Sequence, residues 1–93
     1  MIDEVTYTIL KEIDDLLKSG VLPVSNDHLK KLASEIDILA RLIAMKDSGL
    51  ISGDLIKIGS TGTPHRMTNI RLTYQGIRKL RRDTDGKVLI AVE

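Results

Sequence analysis

The chain has 93 residues, with 14 Lys and Arg against 13 Asp and Glu for a formal charge of +1, and 42% of it is hydrophobic. That is room for one small domain, residues 1–93, and not for two, and a balance so close to neutral singles out no acidic partner by total charge. There is no Cys, which excludes disulfides, thiolate metal sites and cysteine catalysis, and the two aromatics, Tyr7 and Tyr74, leave an aliphatic core and no base-stacking platform of the single-strand-binding kind. No uncharged run approaches the roughly 18 residues of a membrane span, and the N-terminus holds acids and no apolar run of secretory length. A soluble, cytoplasmic protein with no membrane role is expected.

Val5, Ile9, Ile13, Leu16 and Leu17 fall at helical spacing, with Asp3 and Glu4 at the favourable end and Gly20 as a stop, so a first helix precedes residue 20. Residues 21–24 (Val-Leu-Pro-Val) read as a short extended link or edge strand. Ser25 is placed to cap a short second helix over residues 26–32 that packs Leu29 and Leu32 inward. Ser34, followed three residues on by Asp37, is close to a capping box and predicts a third helix from 35 to about 47, closed by Gly49. Beyond it the period changes. Residues 50–51 and 55–58 are strand-like, 59–64 are dense in turn formers, and 67–73 alternate Thr68, Ile70 and Leu72 against Met67, Asn69 and Arg71. The pattern is a β-hairpin with a long mobile tip. Thr73 caps a fourth helix in which Tyr74, Ile77 and Leu80 face inward, and Asp83-Thr84-Asp85-Gly86 ends it. The tail, residues 83–93, contains Val88, Leu89, Ile90, Ala91 and Val92. It is too apolar to leave bare and is expected to be a strand or an arm covered by a second subunit.

A first helix, a short second helix joined by a turn of two or three residues to a long apolar third, a hairpin and a closing helix make an α+β winged helix-turn-helix domain, with its core in residues 3–82. Tyr7-Thr8-Ile9-Leu10-Lys11-Glu12-Ile13, Ser48-Gly49-Leu50-Ile51-Ser52-Gly53 and Leu72-Thr73-Tyr74-Gln75-Gly76-Ile77-Arg78-Lys79-Leu80 resemble the YjcQ family, small winged-helix proteins of Gram-positive bacteria and their phages. The likeness covers about residues 3–82. It implies a fold more than a role, since the same Gly-Leu-Ile and Leu-Thr-x-x-Gly signals also mark the PadR and MarR regulators. The long C-terminal dimerisation helix of PadR proteins has no counterpart after Arg82.

Catalytic and metal-binding patterns are weak. His28 and His65 are the only histidines and neither lies in a zinc-binding spacing, so a solvated His28 and a His65 at the loop tip are expected. Gly59-Ser60-Thr61-Gly62 lacks the Gly-Lys-Ser/Thr of a phosphate loop. Residues 83–86 resemble the middle of a calcium loop, but positions one and twelve would be Arg81 and Val92. Asp14 and Asp15 lie at helical spacing from Lys11 and Lys18, as on a solvated face. No enzyme, cofactor or metal site is expected.

Charge segregation is the feature above background. Residues 1–54 hold six basic and ten acidic residues, whereas 55–93 hold eight and three, and from Lys57 to Arg82 there are seven cations and no acid. Such a surface attracts the phosphates of duplex DNA whatever the net charge. On the third helix, 100° steps place Ile36, Leu39 and Ile43 inward and Ser34, Asp37, Arg41 and Ser48 outward, with Ile38 and Met45 flanking Arg41 on the exposed side.

Two functions follow from these residues. In the first, a winged-helix DNA-binding homodimer serves as a small transcriptional regulator or as an accessory factor of a phage or mobile element. Ser34 and Arg41 reach bases, His65 and Arg66 reach from the wing, and Lys57, Arg71, Arg78, Arg81 and Arg82 hold phosphates. In the second, a protein-interaction module without DNA binding uses Ile38, Met45 and the tail residues Val88 and Ile90 to hold a protein partner.

Overall fold

The computed structural model describes residues 4–60 and 62–81, with the backbone alone at Glu35, Ile36 and Thr63. The architecture is α+β. Helix α1 (Glu4–Lys18), a 3-10 segment (Asn26–Leu32) and helix α2 (Glu35–Asp47) lead into an antiparallel hairpin of β1 (Ile51–Ile58) and β2 (Thr63–Leu72), and a last helix, α3, covers residues 74–81. The tail beyond Arg81, including Arg82, Val88 and Ile90, lies outside the described residues.

Helix α1 is amphipathic and buries Thr6, Ile9, Leu10 and Ile13, while Lys11–Asp15 (3.9 Å) and Lys18–Asp14 (2.8 Å) pair across successive turns. Val5, expected inward, is exposed, because the buried face includes Leu10 and is turned away from it. Both long helices stop in the same way. Gly20 and Gly49 take φ of +87° and +82°, and the two residues past each helix return their N–H groups to it. Gly20 bonds Leu17 and Val21 bonds Leu16, just as Gly49 bonds Lys46 and Leu50 bonds Met45, at 2.9–3.1 Å. A side chain at either glycine would meet the left-handed penalty, so these residues set where the helices end.

The expected second helix forms, but as a 3-10 turn. Seven residues are too few for α-helix propagation to outweigh nucleation, and the tighter turn is common in such short pieces. Its start is fixed by the Ser25 N–H, which donates to His28 Nδ1 at 3.0 Å, and Leu29 is fully buried. The preceding link is not a strand. It meets the edge of β2 through the Ile70 N–H, which donates to the Val24 carbonyl at 2.9 Å, and the Met67 N–H, which donates to the buried Asn26 Oδ1 at 3.0 Å.

Helix α2 has the expected ends and a different buried face. Ser34 caps it, accepting the Asp37 N–H at 3.3 Å and donating its hydroxyl to the Asp37 carboxylate at 2.7 Å. Ile38, Leu42 and Met45 form the buried line, with Leu39 and Ile43 half-buried beside it. The expectation that Ile38 and Met45 flank Arg41 in solvent is corrected: both belong to the core. Apolar residues occupy more than half of this helix's circumference, so spacing alone fits two phases about a third of a turn apart. The presence of Leu42 between Ile38 and Met45 decides for the phase observed.

The hairpin pairs Ile51 with Leu72, Leu55 with Met67, Ile56 with Arg66 and Ile58 with Thr63. The register slips twice, between Ser52 and Asp54 and between Ile56 and Lys57, and both times the extra residue lies in β2. At the first bulge Asn69 takes φ +54°. One inserted residue reverses the alternation that follows it, so Met67 and Ile70 are both buried although a plain strand would send them to opposite faces. The ladder continues to Ile58 and Thr63, which leaves residues 59–62 between the strands, a shorter connection than the expected long tip. His65 accordingly lies within β2, at the second bulge.

Helix α3 begins at Thr73, whose hydroxyl oxygen accepts the Gly76 N–H at 3.0 Å and whose own proton goes to the Gly49 carbonyl at 2.6 Å. Tyr74, expected inward, is 75% exposed. The inward face is made by Gly76, Ile77 and Leu80, because only a glycine lets the helix backbone lie against the Leu50 carbonyl oxygen. Leu80 completes an aliphatic core with Ile9, Ile13, Leu29, Leu42 and Ile70, whose larger side chains each contribute about 1.5–3 kcal/mol by leaving water.

Candidate nucleic-acid interface

Partners across the ladder share a face, so the pairing sorts the hairpin's side chains. Ile51, Leu55, Met67 and Leu72 lie on the face toward the core. Lys57 shares that face but stands beyond the core and is exposed. The other face carries Ser52 with Arg71, Asp54 with Thr68, and Ile56 with Arg66. The hairpin therefore presents cations on both faces, Lys57 on one and Arg66 and Arg71 on the other.

These cations differ in their freedom. Arg66 leans on the 3-10 segment, with Nη2 3.6 Å from Asp27 Oδ2, and its Nε is buried with no hydrogen-bond partner among the described residues. That contact offsets part of the Arg66 charge, although both side chains remain partly exposed. Arg71 and Lys57 are exposed and meet no carboxylate among the described residues. On α3 the Arg78 guanidinium lies 5.6 Å from the centre of the Tyr74 ring, an i, i+4 cation–π contact on the exposed face, and Arg81 is exposed one turn on. Lys79 is half-buried.

The acidic half behaves differently. Lys11, Lys18, Lys30 and Lys31 each lie within 4 Å of an acid, the last two against Asp27 at 3.7 Å and Glu12 at 3.1 Å. Exposed pairs of this kind add little stability. Their effect is to cancel positive potential over α1 and the 3-10 segment, so that, Lys46 at the end of α2 apart, the exposed cations with no acid beside them among the described residues gather on the hairpin and α3.

Helix α2 offers little for base reading. Its exposed residues are Asp37, Ala40, Arg41, Ala44, Lys46, Asp47 and the C-cap Ser48, and the Ser34 hydroxyl is committed to the cap. Arg41 lines an open groove of about 780 Å³ between α1 and α2, together with Val5, Thr8, Ala40 and Ala44. With Ile38 and Met45 in the core, the apolar patch expected on this helix reduces to alanines. The residues that sequence reasoning missed are structural ones: Asn26, which ties the 3-10 segment to β2, and Gly76, which admits Leu50. Neither belongs to an apolar periodicity. The Ser25-Asn26-Asp27 run of turn-forming residues was the available signal for the first, and Leu-Thr-x-x-Gly for the second.

Among the described residues no three His, Asp or Glu side chains gather as a metal site, and no helix is long and apolar enough to cross a membrane. Comparison with protein-family models, curated proteins and solved structures gives no match in any of the three, so the local geometry has to carry the functional argument.

Proposed function

We propose that the chain is a winged-helix protein that binds duplex DNA through its hairpin and α3 and acts in the cytoplasm as a small regulator or accessory factor. One observation carries the reading. Lys57, Arg71, Arg78 and Arg81, the exposed cations of the hairpin and α3, are free of carboxylates among the described residues, as is Lys46 at the end of α2, while Lys11, Lys18, Lys30 and Lys31 on α1 and the 3-10 segment are paired. A hairpin entering a groove of the duplex meets phosphates on both walls, and cations on its two faces, Lys57 and Arg71, suit that entry. Arg78 and Arg81 add a second line of contact from α3. Affinity of this kind is mostly electrostatic, and discrimination between sequences is weak, because α2 carries only two long cations, Arg41 and, in its last turn, Lys46.

The test is fluorescence anisotropy of a labelled mixed-sequence duplex titrated at several salt concentrations. Micromolar binding that weakens steeply with salt is expected. Replacing Lys57 and Arg71 together by Ala lowers the salt slope by about 1.8, at roughly 0.9 for each phosphate no longer neutralised. No binding at low salt, or a slope unchanged in the double variant, removes the hairpin as the phosphate surface.

A further inference from the structure

The cap of the 3-10 segment carries a titratable acceptor. In the usual capping box a Glu or Gln side chain three residues past the cap accepts the backbone N–H of the capping residue. Here that place is held by His28, whose Nδ1 accepts the Ser25 N–H at 3.0 Å. Ser25 is 4% exposed, so its N–H has no ready exchange for water. A ring nitrogen accepts only through its lone pair, and the bond therefore fixes His28 as the neutral imidazole with its proton on Nε2. In the imidazolium both ring nitrogens carry protons, and Nδ1 then turns a donor toward a donor. The Ser25 hydroxyl, 3.3 Å from the same nitrogen, is placed to take that proton, which still leaves the Ser25 N–H unpaired.

What this cap steadies is the hairpin. The residues on either side of Ser25 are the two that meet the edge of β2, the Val24 carbonyl accepting the Ile70 N–H at 2.9 Å and Asn26 Oδ1 accepting the Met67 N–H at 3.0 Å. Val24, Ser25 and Asn26 are all buried. The charged groups on the segment and on the elements packed against it are engaged elsewhere. Asp27 pairs with Lys30 and with Arg66 of β2, Lys31 pairs with Glu12 of α1, and the Asp37 carboxylate of α2 takes the Ser34 hydroxyl. Among the described residues no carboxylate lies within 4 Å of the imidazole to favour its charged form. The Ser25–His28 bond is therefore complete above the ordinary imidazole range and is lost as the pH falls through it.

We propose that His28 is a proton-sensitive catch: its neutral ring closes the cap and holds Val24 and Asn26 on β2, and its protonation in mildly acidic solution opens the cap and loosens the base of the hairpin. The catch does not depend on DNA binding. The experiment is amide hydrogen exchange by NMR on the full chain at about pH 7.5 and about pH 5.5, read as protection factors so that the intrinsic effect of pH on exchange is removed. The amides read are those of Met67 and Ile70. Their protection falls about fivefold at the lower pH, as expected when one bond is lost and its buried donor is left unpaired. The same fall is expected in His65→Gln, which changes the exposed histidine of β2. In His28→Gln the amide oxygen accepts the Ser25 N–H at either pH, and the fall disappears. His28→Ala, with no acceptor, already shows at the higher pH the low protection that the unmodified chain reaches at the lower. Protection that does not change with pH in the unmodified chain overturns the proposal. So does a fall that persists in His28→Gln or vanishes in His65→Gln, or a His28→Ala chain as protected at the higher pH as the unmodified one.

Discussion

The base and the outer half of the hairpin are built from the same two strands and serve opposite ends. At the base, Ile51, Met67 and Ile70 are buried, β2 is held by Val24 and Asn26, and the chain passes through Thr73 into a helix pressed on Leu50. In the outer half, Ile56, Lys57, Ile58, Pro64 and His65 are all exposed, and besides the ladder the strands are tied to the rest by the Arg66–Asp27 contact at 3.6 Å. Burial is thus graded along the strands, and in the proposed reading the outer half is left for recognition together with Arg71 and α3. Substitutions should therefore divide by position on the hairpin.

Gly76→Ala gives the largest effect. Its methyl group would occupy the place of the Leu50 carbonyl oxygen, and the overpacking costs about 3 kcal/mol, a fall of more than about 12 °C in the thermal midpoint. Ile70→Ala follows, at about 2–3 kcal/mol in urea unfolding, for a fully buried side chain at the bulge. Thr73→Ala loses an N-cap and the bond to Gly49 and lowers stability by about 1–2 kcal/mol in the same assay. Lys57→Ala, in the outer half, leaves stability within about 0.5 kcal/mol while weakening duplex binding. A Lys57 variant that unfolds as easily as the Ile70 variant would erase the distinction between the two halves.

Much of this organisation is legible in the residues. Ser34, Gly20, Gly49 and Thr73 bound their helices where local chemistry says they should, because a cap or a left-handed glycine acts within one turn and needs no tertiary partner. What is not legible depends on neighbours. The buried face of α2 is ambiguous where Ile38, Leu39, Leu42, Ile43 and Met45 leave no polar face wide enough to fix the phase. The alternation in β2 fails at Asn69, since a bulge is a property of two strands and not of one. Tyr74 looks like a core residue by type and spacing, yet the close approach of Gly76 to Leu50 turns the helix so that Tyr74 meets Arg78 instead. The cationic character of residues 57–81 could be read from composition. Its distribution over both faces of the hairpin, and the capture of Arg66 by Asp27, required the fold.

The Thr73 hydroxyl has a mechanical consequence. One oxygen atom closes α2, by donating to Gly49, and opens α3, by accepting from Gly76, so those two helix ends are locked into a single block. The outer hairpin is a cantilever projecting from it, with its last buried side chain at Met67. A duplex gripped by Arg78 and Arg81 on the block and by Lys57 on the cantilever would be held across a flexure. The protein could then follow grooves of different width by bending a two-stranded ribbon, with no helix in the core obliged to move.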